Sequence, residues 1–478
     1  MSQLAIILTF VLIGARGLNP GPAAPAPHHP LWQYLWGFAL ICGLGLFATS
    51  RLSRIMDERG SIRAAMSARR ASELMRMAAV GLHGWNILAL GWVEFVRSRV
   101  GDPVLIDELL CAAPVFSTWL VSWWAVAPVE RRLHEAVLLR MLETGGPVYP
   151  PLSRVGYTWL TFRHQALFLI VPIVSVLAWG ECVDRLGPRF GWGEREGDMV
   201  DLRALGAHLA GIALVFAAMP FMLRVIWDTV PLGEGSLRRD LLEFANHAGS
   251  RFRELLVWRT RGQIVNGLVV GISRRTRHVL LSDALLDSLP ARQLHAVAAH
   301  EYGHIRRKHV LWLGVAILTM AFAMGTFIDL AARQLTRIGV PDELASWWLN
   351  GASIVLGLWA FGLISRRFEW QADAFAAQCL SGGWRRGRPV GGITISAEAV
   401  GEMIGALDSV ASFNGIPRSR YAWRHGSIGS RQDRLSRLIG LDSTSLPIDR
   451  QVAWIKLATV VIFVGAIAYT VILANWPT

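Results

Sequence analysis

The sequence predicts a mainly α-helical fold, a polytopic transmembrane bundle of eight to nine spans, with a polar cytoplasmic domain containing a small β-hairpin or sheet. Three observations predict it. Of the 478 residues, 53% are hydrophobic and only 17% charged, a balance outside that of ordinary soluble domains. Eight segments are apolar over about the 20 residues a helix needs to cross a bilayer, near 31–49, 77–96, 109–127, 159–180, 205–227, 310–330, 345–364 and 457–476. Arginines cluster in some of the intervening segments and not in others.

Taken in order, "LAIILTFVLI" at 4–13 is shorter than a full span and no basic residue precedes it. It makes a poor signal peptide and a marginal ninth span. The Pro-rich "NPGPAAPAPHHP" behind it reads as a loop. The 50–76 segment carries seven arginines, and 128–158 carries Arg131, Arg132, Arg140 and Arg154. Both are expected in the cytoplasm by the positive-inside rule. Alternation then makes 181–204 and 331–344 external and returns 228–309 and 365–456 to the cytoplasm. The expected organisation is 1–227 N-terminal helices, 228–309 and 365–456 as two pieces of one polar domain, 310–364 a membrane hairpin between them, and 457–478 a last span. A hairpin has two spans, so both pieces emerge on one face. His83, Arg163 and Arg224 read as snorkelling side chains near span ends, whereas Glu94 does not fit that reading.

The net charge of +13 suits lipid headgroups and cytoplasmic loops and requires no nucleic acid. All basic residues but Lys308 and Lys456 are Arg, the codon signature expected of a GC-rich bacterial genome. Cys42, Cys111, Cys182 and Cys379 are scattered and support neither a disulfide framework nor a cysteine metal site.

Chemistry concentrates in "HEYGHIRRKH", 300–309. Ser288 and Pro290 mark a helix start, and His300 and His304 then lie one turn apart on one face. Two imidazoles at that spacing can reach one zinc, with Glu301 beside them to activate water. Catalytic zinc needs a third protein ligand and an open position. His295 and His309 are each five residues away and fall off that face; His309 reads as an interfacial residue beside Arg306, Arg307 and Lys308. In "SRRFEWQADAFAAQ", 365–378, Glu369 and Asp373 are again four apart. One carboxylate can ligate and the other can orient a ligand imidazole. The stretch 255–272 reads as two strands joined at Thr260–Gly262. Asn266 and Gly267 are placed at its edge, where an extended substrate could add as a strand.

"HEYGH" with "SRRFEWQAD" downstream resembles the integral-membrane zinc metallopeptidases that include the CAAX prenyl proteases and the bacterial heat-shock protease HtpX. The stretch "NGLVVGISRRTRHVLLSDALLDSLPARQLHAVAAHEYGH" is similar to that family throughout. The resemblance implies a gluzincin-type centre: one Zn2+ held by His300, His304 and Glu369, Glu301 as general base, and Asp373 orienting His300. "WRHGSIGSRQDRL", 423–435, resembles a late His-Pro…Arg motif, with Gly426 where many members have Pro. It implies His425 and Arg431 as catalytic groups near the oxyanion.

The expected function is that of a zinc metalloendopeptidase in a bacterial inner membrane, cutting membrane or unfolded proteins at the cytoplasmic face in quality control. Two readings compete with it: a signalling protease that cleaves a cytoplasmic regulator, and an inactive membrane scaffold. A site-two type protease is disfavoured because "HIRRKH" is too charged for mid-membrane.

Overall fold

In hydrocarbon a backbone has no partner but itself, so apolar segments of this length fold as helices. The computed structural model describes residues 2–18, 30–144, 149–192 and 201–475. Most of the Pro-rich stretch and residues 193–200 of the expected external loop 181–204 lie outside them. Two compact units divide at Trp227/Asp228.

The first unit holds α1 (Ser2–Leu18), α2 (Leu31–Arg59), α3 (Ile62–Ala89), α4 (Trp92–Val100), α5 (Ile106–Thr144), α6 (Arg154–Phe162), α7 (Phe168–Leu186) and α8 (Leu202–Ile226). Among the described residues of both units, seven helices are long and apolar enough to cross a membrane. They become eight if α3 and α4, bent by 74°, count as one broken span. The bend falls at Gly91, whose φ of +70° ends α3 without a Cβ penalty. The 4–13 segment is a shorter apolar helix rather than a ninth full span. Tyr34, Trp92, Trp119 and Trp123 centre the packing between these helices. Of the ionisable residues in this region, Glu94 pairs with Arg16 at 2.6 Å. Arg163 donates to the carbonyls of Ile226 and Val225 at 2.7 and 2.8 Å, satisfying the end of α8 rather than snorkelling.

The second unit begins with β1 (Thr229–Pro231), α9 (Ser236–Ala248), β2 (Glu254–Trp258), β3 (Gly267–Val270), β4 (His278–Ser282), α10 (Asp283–Ser288) and α11 (Ala291–Arg306). Then follow α12 (His309–Arg337), α13 (Asp342–Leu380), a two-stranded ribbon β5 (Trp384–Arg385) and β6 (Arg388–Pro389), α14 (Ala397–Phe413), α15 (Ile428–Ser436) and α16 (Pro447–Asn475). The strand order is β1-β2-β4-β3. The expected hairpin over 255–272 therefore does not form: β2 and β3 do not pair with each other, and β4 lies between them. It runs parallel to β2 and antiparallel to β3. All five residues of β4 are buried, and a strand covered on both faces takes the centre of a sheet. The bend at Thr260–Gly262 exists, with φ of +55° at Arg261 and +75° at Gly262. The Asp283 carboxylate holds it by accepting from Thr260 N and Arg261 N at 3.1 and 2.8 Å.

Leu294, Ala298 and Tyr302 of α11 pack with Phe375 and Ala376 of α13 into one core. Gly303 lets these helices approach closely. A Cβ there would sit 3.2 Å from the Ala372 Cα and 3.2 Å from the Phe375 Cβ.

Candidate metal centre

α11 and α13 cross where Gly303 permits it, and this crossing carries His300 and His304 against Glu369. One ligand atom from each of the three lies within 4.8 Å of the others. The two Nε2 atoms are 3.1 Å apart. Glu369 places Oε2 3.6 Å from His300 Nε2 and Oε1 3.8 Å from His304 Nε2. Ligands bonded at about 2.0–2.2 Å around a tetrahedral zinc stand roughly 3.4 Å apart. The donor set and its spacing therefore fit a divalent metal such as zinc, which His300, His304 and Glu369 would hold.

Each histidine is held from behind. His300 Nδ1 lies 2.8 Å from Asp373 Oδ1. Asp373 in turn accepts Arg431 Nε at 2.8 Å and Nη2 at 2.6 Å. The structure thus turns Arg431 onto Asp373 in a two-point grip, with Nη1 3.8 Å from Glu369 Oε2. His425 lies on the other side of the centre, Nδ1 3.1 Å from Glu369 Oε1, its side chain 48% exposed.

His304 is held by a residue that spacing placed elsewhere. Five residues separate His304 and His309, which would diverge on a continuous helix. The helix is not continuous: α11 ends at Arg306 and α12 restarts at His309 after Lys308, whose φ is +58°. That break folds His309 under His304, with their Nδ1 atoms 3.0 Å apart. The His309 ring is fully buried and stacks on Phe368 at 4.6 Å. Its Nε2 meets Gln371 Oε1 at 2.9 Å, and Gln371 Nε2 donates to Asp449 Oδ1 at 2.6 Å.

The protons along this chain follow by elimination. An ionised carboxylate only accepts, so the Gln371 amide nitrogen faces Asp449 and its oxygen faces His309. His309 Nε2 is then the donor, which leaves Nδ1 as acceptor for a proton from His304 Nδ1. His304 Nε2 keeps its lone pair for a metal.

Electrostatics agree. Burial works against charge on His300, yet the neighbouring Asp373 and Glu369 carboxylates overcome it and hold its pKa up at about 10. Negative groups thus favour positive charge at this point, as a cation site requires. Burial pushes His304 down to about 3, keeping it neutral. It raises Glu301 to about 7, against the pull of His300.

A cavity of about 720 Å³ opens on the centre, lined by His300, Glu301, His304, Glu369, His425 and Arg431. Its other walls are the 264–269 backbone and apolar side chains of α14 such as Met403 and Leu407. β3 is the outer strand on that side. Gly267 is buried where a Cβ would meet Glu301 Cγ at 3.3 Å, and Asn266 is exposed on the cavity rim. Asn414, which no sequence signal singled out, fixes the approach to this edge. Its amide accepts from Val265 N at 3.1 Å and donates to Val265 O at 2.8 Å.

Fold and centre define a class: a multi-span membrane protein carrying a metallopeptidase-type site of two helical histidines, a glutamate and a downstream acid. Residues 231–410 match Peptidase family M48; His425 and Arg431 lie beyond the matched stretch. A CAAX prenyl protease 1 homolog of Arabidopsis thaliana is 27% identical over 197 residues, 35% of this chain and 45% of the relative. CAAX prenyl protease 1 of Saccharomyces cerevisiae is 22% identical, over 33% of this chain and 40% of its own length. A plastoglobule-localized metallopeptidase 48 of Arabidopsis thaliana is 31% identical over 93 residues, 19% of this chain and 25% of that protein. The chain thus spans less than half the length of the curated relatives it matches. The crystal structure of S. mikatae Ste24p aligns over 86% of this chain and 99% of that one, at 15% identity and a TM-score of 0.45.

Proposed function

We propose that the protein is a membrane-embedded zinc endopeptidase that hydrolyses membrane-associated or unfolded proteins at the cytoplasmic face of a bacterial inner membrane, in membrane-protein quality control. The observation that carries this reading is the convergence of His300, His304 and Glu369 on one point beside Glu301. The cytoplasmic face is supported by the arginine-rich segments 50–76 and 128–158. His300, His304 and Glu369 would hold a divalent metal, which when bound would supply Lewis acidity to a carbonyl and to water.

The chain's own residues do the rest. Glu301 lines the cavity, and with a pKa of about 7 it can take a proton from attacking water and return it to the leaving amine. Asp373 orients His300, and Arg431 holds Asp373 in place. His425, half-exposed on the cavity wall, is the side chain positioned to meet a developing oxyanion. The outer edge of β3 offers backbone groups to an extended peptide. Pairing through the backbone serves many sequences, as degradation of damaged proteins requires.

The test is cleavage of casein by the detergent-purified full-length protein, stripped of metal and then restored with zinc. Cleavage is expected to disappear on stripping and return with one zinc per chain. Zinc bound without cleavage would refute a broad unfolded-protein specificity. No bound zinc would refute the metal centre and favour the scaffold.

His309 yields a sharper expectation. His309→Ala frees His304 Nδ1, and zinc affinity should fall roughly 10- to 100-fold, read by competition with a chromophoric chelator. An unchanged affinity would rule out its orienting role.

A further inference from the structure

Outside the cavity that holds the metal centre, a second one of about 700 Å³ is walled by Arg251, Arg277, Arg306, Lys308 and Arg386. One acid, Glu243, shares the lining. Neighbouring Arg307 is neutralised by Asp449 at 3.1 Å. Among the described residues, none of the five cavity cations has a carboxylate within ion-pair distance. They are not needed to cap the carbonyl end of α9 either, since the amides of Gly249, Ser250 and Gly387 take the carbonyls of Asn246, Ala245 and His247.

The cavity is constructed rather than a crowd of loose side chains. Gly249 and Gly387, both at positive φ, meet so closely that a Cβ on Gly249 would lie 2.4 Å from the Gly387 Cα. That contact fastens the β5–β6 turn, with Arg386, to the end of α9. Arg306 donates to Gly387 O at 3.0 Å and lies over the Trp384 ring. Arg277 donates to Arg251 O at 3.1 Å.

Two further features concern what fits there. Arg306 and Lys308 immediately precede α12, a helix long and apolar enough to span a membrane, so the cations stand at the foot of a span. Arg277, Ile305 and Lys308 also line a smaller pocket of about 200 Å³. Its other walls are Val269, Ile272, Val310, Leu311 and the back of His304; Ile272 and Leu311 are 39% and 40% exposed. A basic chamber and an apolar pocket thus share Arg277, Ile305 and Lys308 as a common wall at the base of a span. Free phosphate would use only the first.

The geometry points to a binding site for one anionic phospholipid, its phosphate headgroup among the five cations and the start of an acyl chain against Ile272 and Leu311. Basic pockets beside the end of a membrane span recognise lipid headgroups. The site does not depend on proteolysis, because its readout is bound lipid.

The experiment titrates the full-length protein in neutral detergent with dioleoylphosphatidylglycerol, counting retained lipids by native mass spectrometry. Dioleoylphosphatidylcholine and inorganic phosphate are parallel probes. One phosphatidylglycerol per chain is expected, bound at least about tenfold more tightly than phosphatidylcholine. Combining Arg251→Gln, Lys308→Gln and Arg386→Gln should weaken it about a hundredfold, from three lost cations. Exchanging the exposed Arg274 and Arg275, outside the cavity, for Gln should change affinity less than about twofold. Arg251→Lys with Arg386→Lys should retain the lipid, separating charge from folding. If the triple variant fails to fold, Arg386→Glu on its exposed turn replaces it, with a loss of about tenfold or more expected. Equal binding of both lipids, or a triple variant that binds like wild type, would overturn the proposal. So would displacement by inorganic phosphate at the lipid's own concentration, which would mark a free-phosphate site.

Discussion

Glu301→Gln is expected to lower kcat/KM on casein by roughly 10²- to 10⁴-fold while zinc stays at one per chain. Glu301 is not among the three converging ligands, so the amide leaves the metal's donors intact. What it removes is the group that takes and returns the proton. The variant should not be less stable. Burial raises the Glu301 pKa to about 7, so the folded protein binds more protons than the unfolded chain between the ordinary carboxylate range and that value. A charged Glu301 therefore costs stability as pH rises through this window, fully so above it. Gln removes that cost, and the metal-stripped variant should melt at or above the wild-type Tm at pH 8. Loss of activity with zinc bound and Tm preserved cannot come from misfolding. Activity within tenfold of wild type would rule out Glu301 as the proton carrier.

The part of the centre that was legible in the sequence is the part that regular helix writes down. His300 and His304, like Glu369 and Asp373, are four apart on α11 and α13, and a continuous helix turns that spacing into a shared face. Their meeting also needed the two polar pieces to return to one end of the hairpin, which span counting supplied. Failures began where the chain departs from a regular period. A continuous helix puts His309, five residues on, off the His304 face, and nothing in "HIRRKH" announces that Lys308 takes a left-handed turn and re-aims the next helix. The 255–272 stretch has two apolar runs and a turn at Arg261–Gly262, a hairpin's local signature. Yet the partner of both runs is β4, further along the chain, and strand order is decided by burial rather than by adjacency. Asn414 and Gln371 act only through distant partners, Val265 and Asp449, and so carry no local signal at all.

Arg431→Met is expected to weaken zinc binding roughly 10- to 100-fold and to destabilise the protein by about 3–5 kcal/mol. Both effects follow from its two hydrogen bonds to Asp373. Arg431 is buried, so its loss deprives the buried Asp373 carboxylate of its guanidinium partner and frees it to turn away from His300. An oxyanion donor would behave differently: zinc affinity would be unchanged and only kcat would fall. The double variant Asp373→Asn, Arg431→Met separates the two consequences. It removes both buried charges, so much of the lost stability should return, as replacement of whole buried pairs commonly allows. Zinc affinity should stay low, because an amide holds an imidazole less firmly than a carboxylate does. Recovery of zinc affinity together with stability would mean that Arg431 matters only as a counter-charge. Recovery of stability alone assigns it to the chain of contacts, Arg431 to Asp373 to His300, that aims a ligand at the metal.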